Sequence, residues 1–382
     1  MRDFKYLYAQ LKTASRESGK SILYIIKDFS SLKKKKGLIW SEYYNFQFEQ
    51  QTETFRDTFL GINEQRYYLD YLNPKKYYSI ARNKYFTHIF LDAAGIKNKA
   101  RLFCYYNPEA AAATDSIGYD YSSVMRILKQ KNVSECVIKT TESSHGDNVH
   151  LIYSIDYGTE DCILKTHNGT KISLRQLLSR EPLIFESVIK QTTQFNDFNS
   201  SSVNTIRFMT LLFPDKSVKI IAAFIKIGRK GACVDNAGKG GNVDTGIDID
   251  TGITYNSIQF DGWRKIKDIE THPDSGNSVC KVKINEWDNI KTEIIRLQQA
   301  LPYIKAAGWD IAITDDGPVV IEVNDFWDTT GQLFIGRGWR DDVRKCYFEW
   351  MSYNNKAGVS YPFERQMNVL SNKQLLKITG HE

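Results

Sequence analysis

The chain is predicted to be an α+β protein with a mainly helical N-terminal region, and three observations carry that prediction. Over residues 1–80, Tyr, Phe and Leu recur at helical spacing with no alternating run. From 82 to 198, short strand and helix patterns alternate, several of them linked by tight turns. Beyond 199, two hairpin patterns (204–227 and 308–324) enclose a glycine-rich stretch and a long amphipathic helix. Turn-linked antiparallel pairs of this kind suit α+β layers rather than a doubly wound parallel sheet. The expected units are a helical region at 1–80, α+β units at 81–198 and 199–345, and a helical extension at 346–382.

Taken in order, the first α+β unit should hold a helix at 83–94, a strand at 101–106, a helix at 122–130 and a strand at 135–140. Strands near 150–155 and 160–166 follow, then a turn at Asn168-Gly169, a short helix around Leu174 and a strand at 183–189. The polar stretch 196–202 is expected to be a hinge. Strands at 204–213 and 218–227 fold about Pro214-Asp215. A helix is expected at 286–306, with Asn285 as N-cap and Gly308 as its stop.

The 382 residues, 42% apolar and 25% charged, suit a globular protein of two or three packed subdomains. No stretch approaches the roughly 18–20 apolar residues of a membrane span. Residues 1–10 carry Arg2, Asp3 and Lys5 and lack the apolar core of a signal peptide. Six scattered cysteines without a CxxC pair read as reduced thiols, which points to the cytoplasm. No HExxH or His/Cys cluster suggests a transition metal. Residues 1–100 hold 18 Lys and Arg against 10 Asp and Glu, an excess of +8, so the remainder carries −2 of the chain's +6. The densest run, Lys33 to Lys36, is either a solvated helix end or a surface for anionic lipid, at the inner face of a membrane, or for an anionic glycan precursor. No nucleic-acid reader module is present.

The most informative segment runs from Gly308 to Asn324, GWDIAITDDGPVVIEVN. A three-residue loop, Asp315-Asp316-Gly317, would place Ala312 opposite Val320 and Asp310 opposite Glu322. Asp310, Glu322 and Asn324 then share one face, and Trp309, Ile311, Ile313, Val319, Ile321 and Val323 share the other. Trp287, Ile290, Ile294, Leu297, Leu301 and Ile304 could cover that apolar face. Two acids facing each other are either merely hydrated or hold a cation; two carboxylates and an amide suit Mg²⁺. Elsewhere, Lys139 ends a strand before the small-residue loop Ser143-Ser144-His145-Gly146, where an ammonium and backbone N–H groups could hold phosphates. Gly238, Gly240 and Gly241, with Asn242, form a comparable anion nest or a plain surface loop.

The strand pair ending in Ile321-Glu322-Val323-Asn324 resembles the metal-binding signature of the ATP-grasp superfamily. The wording of 308–324 is similar to its sugar-transfer-associated branch, which is linked with capsule and other surface-polysaccharide biosynthesis. The resemblance spans roughly 60–345 and is strongest over 200–325. It implies an ATP-grasp fold, two α+β subdomains gripping ATP, with Asp310, Glu322 and Asn324 holding two Mg²⁺ ions. It also implies that Lys139 and the loop at Ser143, Ser144 and Gly146 contact phosphates, with Lys84 as a second pocket lysine. Glu186 and Val188 would offer backbone to the adenine, and Gln191 would approach the ribose. Arg207, Lys226 or Arg229, and Asn242 would surround the transferred phosphate. The implied activity is a carboxylate–amine ligase joining a carboxylate-bearing sugar or glycan precursor to an amine such as an amino acid. A sugar or alcohol kinase and a nucleotide-binding scaffold are the alternatives.

Overall fold

A computed structural model of the chain describes residues 2–142, 149–158, 161–167, 169–178, 181–231, 241–260, 264 and 266–358. Residues 2–82 are mainly helical: α1 (Arg2–Ser18), α2 (Ile22–Lys36), α3 (Trp40–Asn45), α4 (Glu53–Thr58), α5 (Ile62–Leu72), a 3₁₀ turn at Lys75–Tyr77 and α6 (Tyr78–Arg82). Then come α7 (Lys84–Ala93), β1 (Leu102–Tyr106), β2 (Ile117–Gly118), α8 (Tyr121–Gln130), β3 (Cys136–Thr140), β4 (His150–Tyr157), β5 (Cys162–Thr166), β6 (Lys171–Ser173), α9 (Leu174–Leu177) and β7 (Leu183–Glu186). The second half holds α10 (Thr193–Phe198), β8 (Thr205–Leu212), β9 (Val218–Ile227), β10 (Val243–Ile247), β11 (Thr254–Phe260), β12 (Ile266–Asp268), α11 (Trp287–Ala300), β13 (Ala306–Thr314), β14 (Gly317–Asn324), α12 (Gly331–Phe334) and α13 (Arg340–Lys356).

Two seven-stranded sheets result, in the orders β2-β1-β7-β3-β4-β5-β6 and β12-β11-β10-β9-β8-β13-β14. Every pairing is antiparallel except β1 with β2, so the α+β expectation holds. The first sheet packs α8 through Val124, Ile127 and Leu128 onto Ile138, Ile152 and Phe185. The second sheet is covered on both faces, which is why β8, β9 and β13 read as nearly continuous apolar runs. One face takes Ile290, Ile294 and Leu297 of α11 against Phe208, Ile225, Trp309 and Ile311. The other is roofed by the N-terminal helices, with Tyr43, Phe48, Phe59 and Leu69 in the same core as Met209, Leu211 and Phe224. The roof is pinned by polar contacts: Asn73 Nδ2 donates to the Ala306 and Asp325 carbonyls at 2.6 Å each, and Gln65 bridges Trp327 and Trp339. At Gly338 an added Cβ would meet the Thr58 carbonyl oxygen at 1.9 Å, so no larger residue fits that crossing.

Four expectations need correction. Helix α11 stops at Ala300, six residues before 306, because Leu301 precedes Pro302, which disfavours helical backbone at 301 and cannot donate an N–H. Its N-cap is Glu286, not Asn285, whose N–H instead meets Gln194 Oε1 at 3.1 Å. Strand β7 ends at Glu186 rather than 189, since the Ser187 N–H turns to the Arg101 carbonyl. The expected hinge begins inside α10, whose Phe195 and Phe198 are buried.

The final hairpin has a two-residue loop, Asp315-Asp316, and Gly317 takes φ +104° after it. Ile311 therefore faces Val320, one residue off the expected register. A β-bulge at Ile321 restores the count, and Asp310 faces Glu322 as expected. The bulge also exchanges faces: Val320 and Val323 join Trp309, Ile311 and Ile313 in the core, and Val319 and Ile321 are only half-buried.

No helix among the described residues is long and apolar enough to cross a membrane. The five described cysteines are free thiols.

Candidate functional site

Cross-strand register assembles the first half of the site. Arg207 on β8 faces Asp310 on β13, which faces Glu322 on β14, giving three charged residues in one row. Two residues along β8, Thr205 faces Lys226 on β9, which faces Asp244 on β10. Side chains two apart share a face, so both rows lie beyond the apolar half of the face that the N-terminal helices roof.

Asp310 is buried and takes a two-pronged grip from Arg207, Nε to Oδ1 at 2.6 Å and Nη2 to Oδ2 at 2.7 Å. Lys226 Nζ approaches Oδ1 at 3.0 Å. Burial by itself would raise the Asp310 pKa, but the two cations outweigh it and hold the carboxyl well below the usual range. Glu322 sits in a different environment. Its side chain is 32% exposed, with Lys84 Nζ at 3.7 Å. The expected repulsion between Asp310 and Glu322 is thus relieved by three side-chain cations, and a metal is not required to explain the pair.

The second half lies on the first sheet. Glu186 on β7 is buried and pairs with Lys139 on β3, Nζ to Oε2 at 2.7 Å, and with His88 Nε2. Burial opposes its ionisation, yet Lys139 first and then His88 pull its pKa down to about 2. Lys99 Nζ lies 3.2 Å from His88 Nδ1, so an ammonium donating there places the ring proton on Nε2, facing the Glu186 carboxylate. With both buried carboxyls held low, their stabilisation is complete above the ordinary carboxylate range and lost as pH falls through the folded values. The contribution of these two carboxyls to thermal stability should accordingly be constant from neutral pH to about 5 and be lost from about 4.5 toward 2; a melting temperature that does not fall between about pH 4.5 and 3 would contradict these pairings.

Helix α7 joins the two halves. Lys84 and His88 are four residues apart on one helical face, one reaching Glu322 of the second sheet and the other Glu186 of the first. Asn83 caps the helix, its Oδ1 accepting from the Tyr85 and Phe86 N–H groups, and the Lys84 N–H meets the Thr141 carbonyl at 3.0 Å. The helix start is thereby tied to the end of β3, directly before residues 143–148. Between α7 and β14 opens a shallow cleft lined by Lys84, Thr87, His88, Lys99, Glu186 and Glu322. Lys84, Lys99, Lys139, Arg207 and Lys226 stand around Glu186, Asp310 and Glu322, and Lys99 also pairs with Asp92 at 3.0 Å.

The remaining candidates divide. Lys226 and Arg229 separate cleanly: Lys226 joins Asp310, while Arg229 turns its fork onto Asp274 at 2.7 and 2.8 Å, away from the row. Asn242 is buried at the start of β10, and the neighbouring Gly241 carbonyl accepts from Gln259 at 2.6 Å. Val188 is half-buried in the segment after β7. Ser143, Ser144 and Gly146, like Gly238 and Gly240, lie outside the described residues.

Gln191 does not face the cleft. Its Nε2 donates to Asn196 Oδ1 and to the Asn199 and Ser202 carbonyls, and its Oε1 accepts from Asn204 N and Nδ2. The amide is occupied on both ends by the connection into β8, which makes it a structural residue. Gln191→Ala should cost about 1–3 kcal/mol of stability and leave nucleotide affinity within about twofold; calorimetry with an ATP analogue and a thermal melt check both parts.

His88 and Lys99 were missed from sequence. The Lys84–His88 spacing on a helix was the available sign, but its meaning depends on two sheets that only the fold brings to that helix.

Glu322 and Asn324 suit a hard divalent cation: both offer oxygen, and Asn324 Nδ2 donates to the Gly308 carbonyl at 3.4 Å, which leaves its amide oxygen for a cation. Asp310 uses three lone-pair positions on Arg207 and Lys226, so it borders such an ion with at most one position to offer. Among the described residues no cluster of three His, Cys, Asp or Glu side chains is poised for a metal. The donor set therefore fits Mg²⁺ held jointly with an anionic ligand, not a metal bound by protein alone.

The profile of a family described as sugar-transfer associated ATP-grasp matches residues 63–346. No curated protein matches the chain. Among solved structures, D-alanine–D-alanine ligase from Bacillus anthracis is similar at 12% identity, covering 73% of this chain and 70% of that one, with a TM-score of 0.37. Biotin carboxylase from Campylobacter jejuni is similar at 9% identity, with coverages of 73% and 48% and a TM-score of 0.40. N5-carboxyaminoimidazole ribonucleotide synthetase from Thermotoga maritima is similar at 11% identity, with coverages of 72% and 52% and a TM-score of 0.37. The chain thus spans about half the length of the last two. At these levels none of the three assigns a role to a residue here.

Proposed function

The chain belongs to the sugar-transfer associated ATP-grasp family, and from that membership we propose that it is an ATP- and Mg²⁺-dependent carboxylate–amine ligase. The acid would be a uronic acid or another carboxylated sugar unit of a surface-polysaccharide precursor, and the amine a small co-substrate such as an amino acid. The observation that carries the reading is the cleft into which Glu186 of one sheet and Glu322 of the other both face, with Lys84 and Lys99 beside them. Residues 81–198 and 199–345 would be the two subdomains that grip the nucleotide across it.

In this reading a substrate carboxylate oxygen attacks the γ-phosphorus of ATP, ADP leaves, and an acyl phosphate forms. The amine nitrogen then attacks the acyl carbon, sheds a proton, and expels phosphate to leave an amide. Such chemistry asks the protein for alignment and charge neutralisation more than for a covalent partner. Lys84 on α7 and Lys139 on β3 would hold the nucleotide's phosphates. Lys226 and Arg207, kept in place by Asp310, would face the transferred group, with Asn242 beside it. The backbone at Glu186 and Val188 would border the adenine. Magnesium, on Glu322 and Asn324 with Asp310 adjacent, would supply further neutralisation of phosphate oxygens.

The test is ADP release from the full chain with candidate uronates and nucleotide-sugar uronates, with and without amino acids, followed by mass spectrometry for the amide. An amide that needs both co-substrates supports the ligase. Phosphorylated alcohol without amine would make it a kinase, and no turnover with any pair would favour a binding role.

Lys226 at the end of β9 and Arg229 in the turn after it give a sharper check. Lys226→Ala should lower turnover by roughly 10²–10³, the usual cost of one preorganised donor, while Arg229→Ala should stay within about twofold. The reverse ranking would move the transferred phosphate away from Asp310.

A further inference from the structure

The outer face of α1 and α2 differs from the rest of the surface. Of fourteen large apolar side chains exposed among the described residues, six belong to these helices: Tyr6, Leu7, Tyr8, Leu23, Tyr24 and Ile26. Tyr6 is 69% exposed and Leu23 62%. The pair is nevertheless anchored, since Leu11, Ala14, Ile25 and Leu32 bury into the main core and Ser21 caps α2. The exposed set is therefore the outside of a packed helical hairpin.

Charge on the same face has one sign. Lys5, Lys12, Arg16, Lys27, Lys33, Lys34 and Lys35 are exposed. The two acids between residues 5 and 36 are neutralised from elsewhere, Glu17 by Arg264 at 2.7 Å and Asp28 by Arg56 at 2.6 Å. Lys36, the last of the lysine run, is buried, with its Nζ on the Asp57 carbonyl, so only three members of that run reach solvent. Two cations lie over tyrosines, Lys12 over Tyr8 at 4.7 Å and Lys20 over Tyr24 at 4.9 Å.

We propose that this face docks on the surface of an anionic lipid bilayer. Leu7, Leu23 and Ile26 would enter the boundary between headgroups and acyl chains, the tyrosines would lie at headgroup level, and the lysines would reach lipid phosphates. A nucleic acid would use the lysines but offer nothing to the three aliphatic side chains, whereas an anionic lipid surface complements both sets at once. The contact is peripheral, because neither helix can cross a membrane. It is also separate from the cleft, so it does not depend on the proposed reaction.

Flotation of the full chain with phosphatidylcholine vesicles, with and without phosphatidylglycerol, tests the idea. Binding to the anionic vesicles should be at least about tenfold tighter and should weaken with added salt. Lys33→Gln, Lys34→Gln and Lys35→Gln together should lose at least about tenfold at low salt. Leu23→Ser, Tyr24→Ser and Ile26→Ser together should lose a similar factor while the chain stays folded, since Ile25 and Leu32 keep α2 in the core. Equal binding to both vesicle types would overturn the proposal, as would full binding by the serine variant, which would mean electrostatic adsorption alone. So would binding of an RNA oligomer in place of vesicles, or a concentration-dependent dimer that the serine substitutions abolish.

Discussion

Asp310→Asn is expected to lose turnover by roughly 10²–10³ and, in the same step, about 3–5 kcal/mol of stability. The two losses share one cause. Asp310 is in contact with both Arg207 and Lys226, and all three side chains are largely buried. An asparagine of the same shape keeps the volume but removes the negative charge that faces both cations in a poorly hydrated place. Removing one partner of a buried pair costs far more than the pair itself contributes, because the remaining charge cannot regain its water. Arg207 would also lose the fork that fixes its plane, so a donor aimed at developing phosphate charge would no longer be held in position. Thermal melts and steady-state ADP release on the same preparation decide the matter. A variant that melts like wild type would show that the Arg207 and Lys226 contacts are not held in solution, and one that turns over normally would remove Asp310 from the site.

Glu322→Gln should give the opposite partition, a loss of turnover of about 10²–10³ with a change in stability below about 1 kcal/mol. Glu322 is a third exposed and its nearest cation, Lys84, is 3.7 Å away. Such a pair is well screened by water and adds little to folding. Its value is to the ligand: an anionic oxygen on the edge strand β14, facing the cleft, where a magnesium ion shared with phosphate would be held. Calorimetry with ADP separates the contributions. In the presence of Mg²⁺ the variant should bind ADP more weakly than wild type, and in its absence the two should agree. Equal affinities under both conditions would remove Glu322 from the metal's neighbourhood. Together the two acids, adjacent across one strand pair, should therefore separate a residue that holds the site together from one that serves its ligand.

Much of this was legible in the residues themselves. The alternation around Gly308–Asn324 placed Asp310 opposite Glu322, and the helical spacing from Trp287 placed α11 beneath Trp309 and Ile311. The route to that register was wrong even so. A two-residue loop shifts the pairing one way and the bulge at Ile321 shifts it back, and two compensating shifts leave the far end of a hairpin unchanged.

Local features can be read along the chain: which segments are helix or strand, where glycine and proline end them, and which acids share a face of one hairpin. These follow from periods of 3.6 and 2 residues and from backbone constraints that act over a few positions. Which charges meet depends on the packed fold. Arg207, Lys226 and Asp310 lie on three strands brought together by two unrelated connections, and Lys139, Glu186 and His88 come from three further elements. The same is true of the choice between Lys226 and Arg229, three residues apart in the chain. Strand pairing sends the first to Asp310, and the turn that follows sends the second to Asp274. Periodicity tells each side chain which way to face, but an ion pair needs a partner within about 4 Å. That distance is set by how sheets and helices pack, and the pattern along the chain does not contain it.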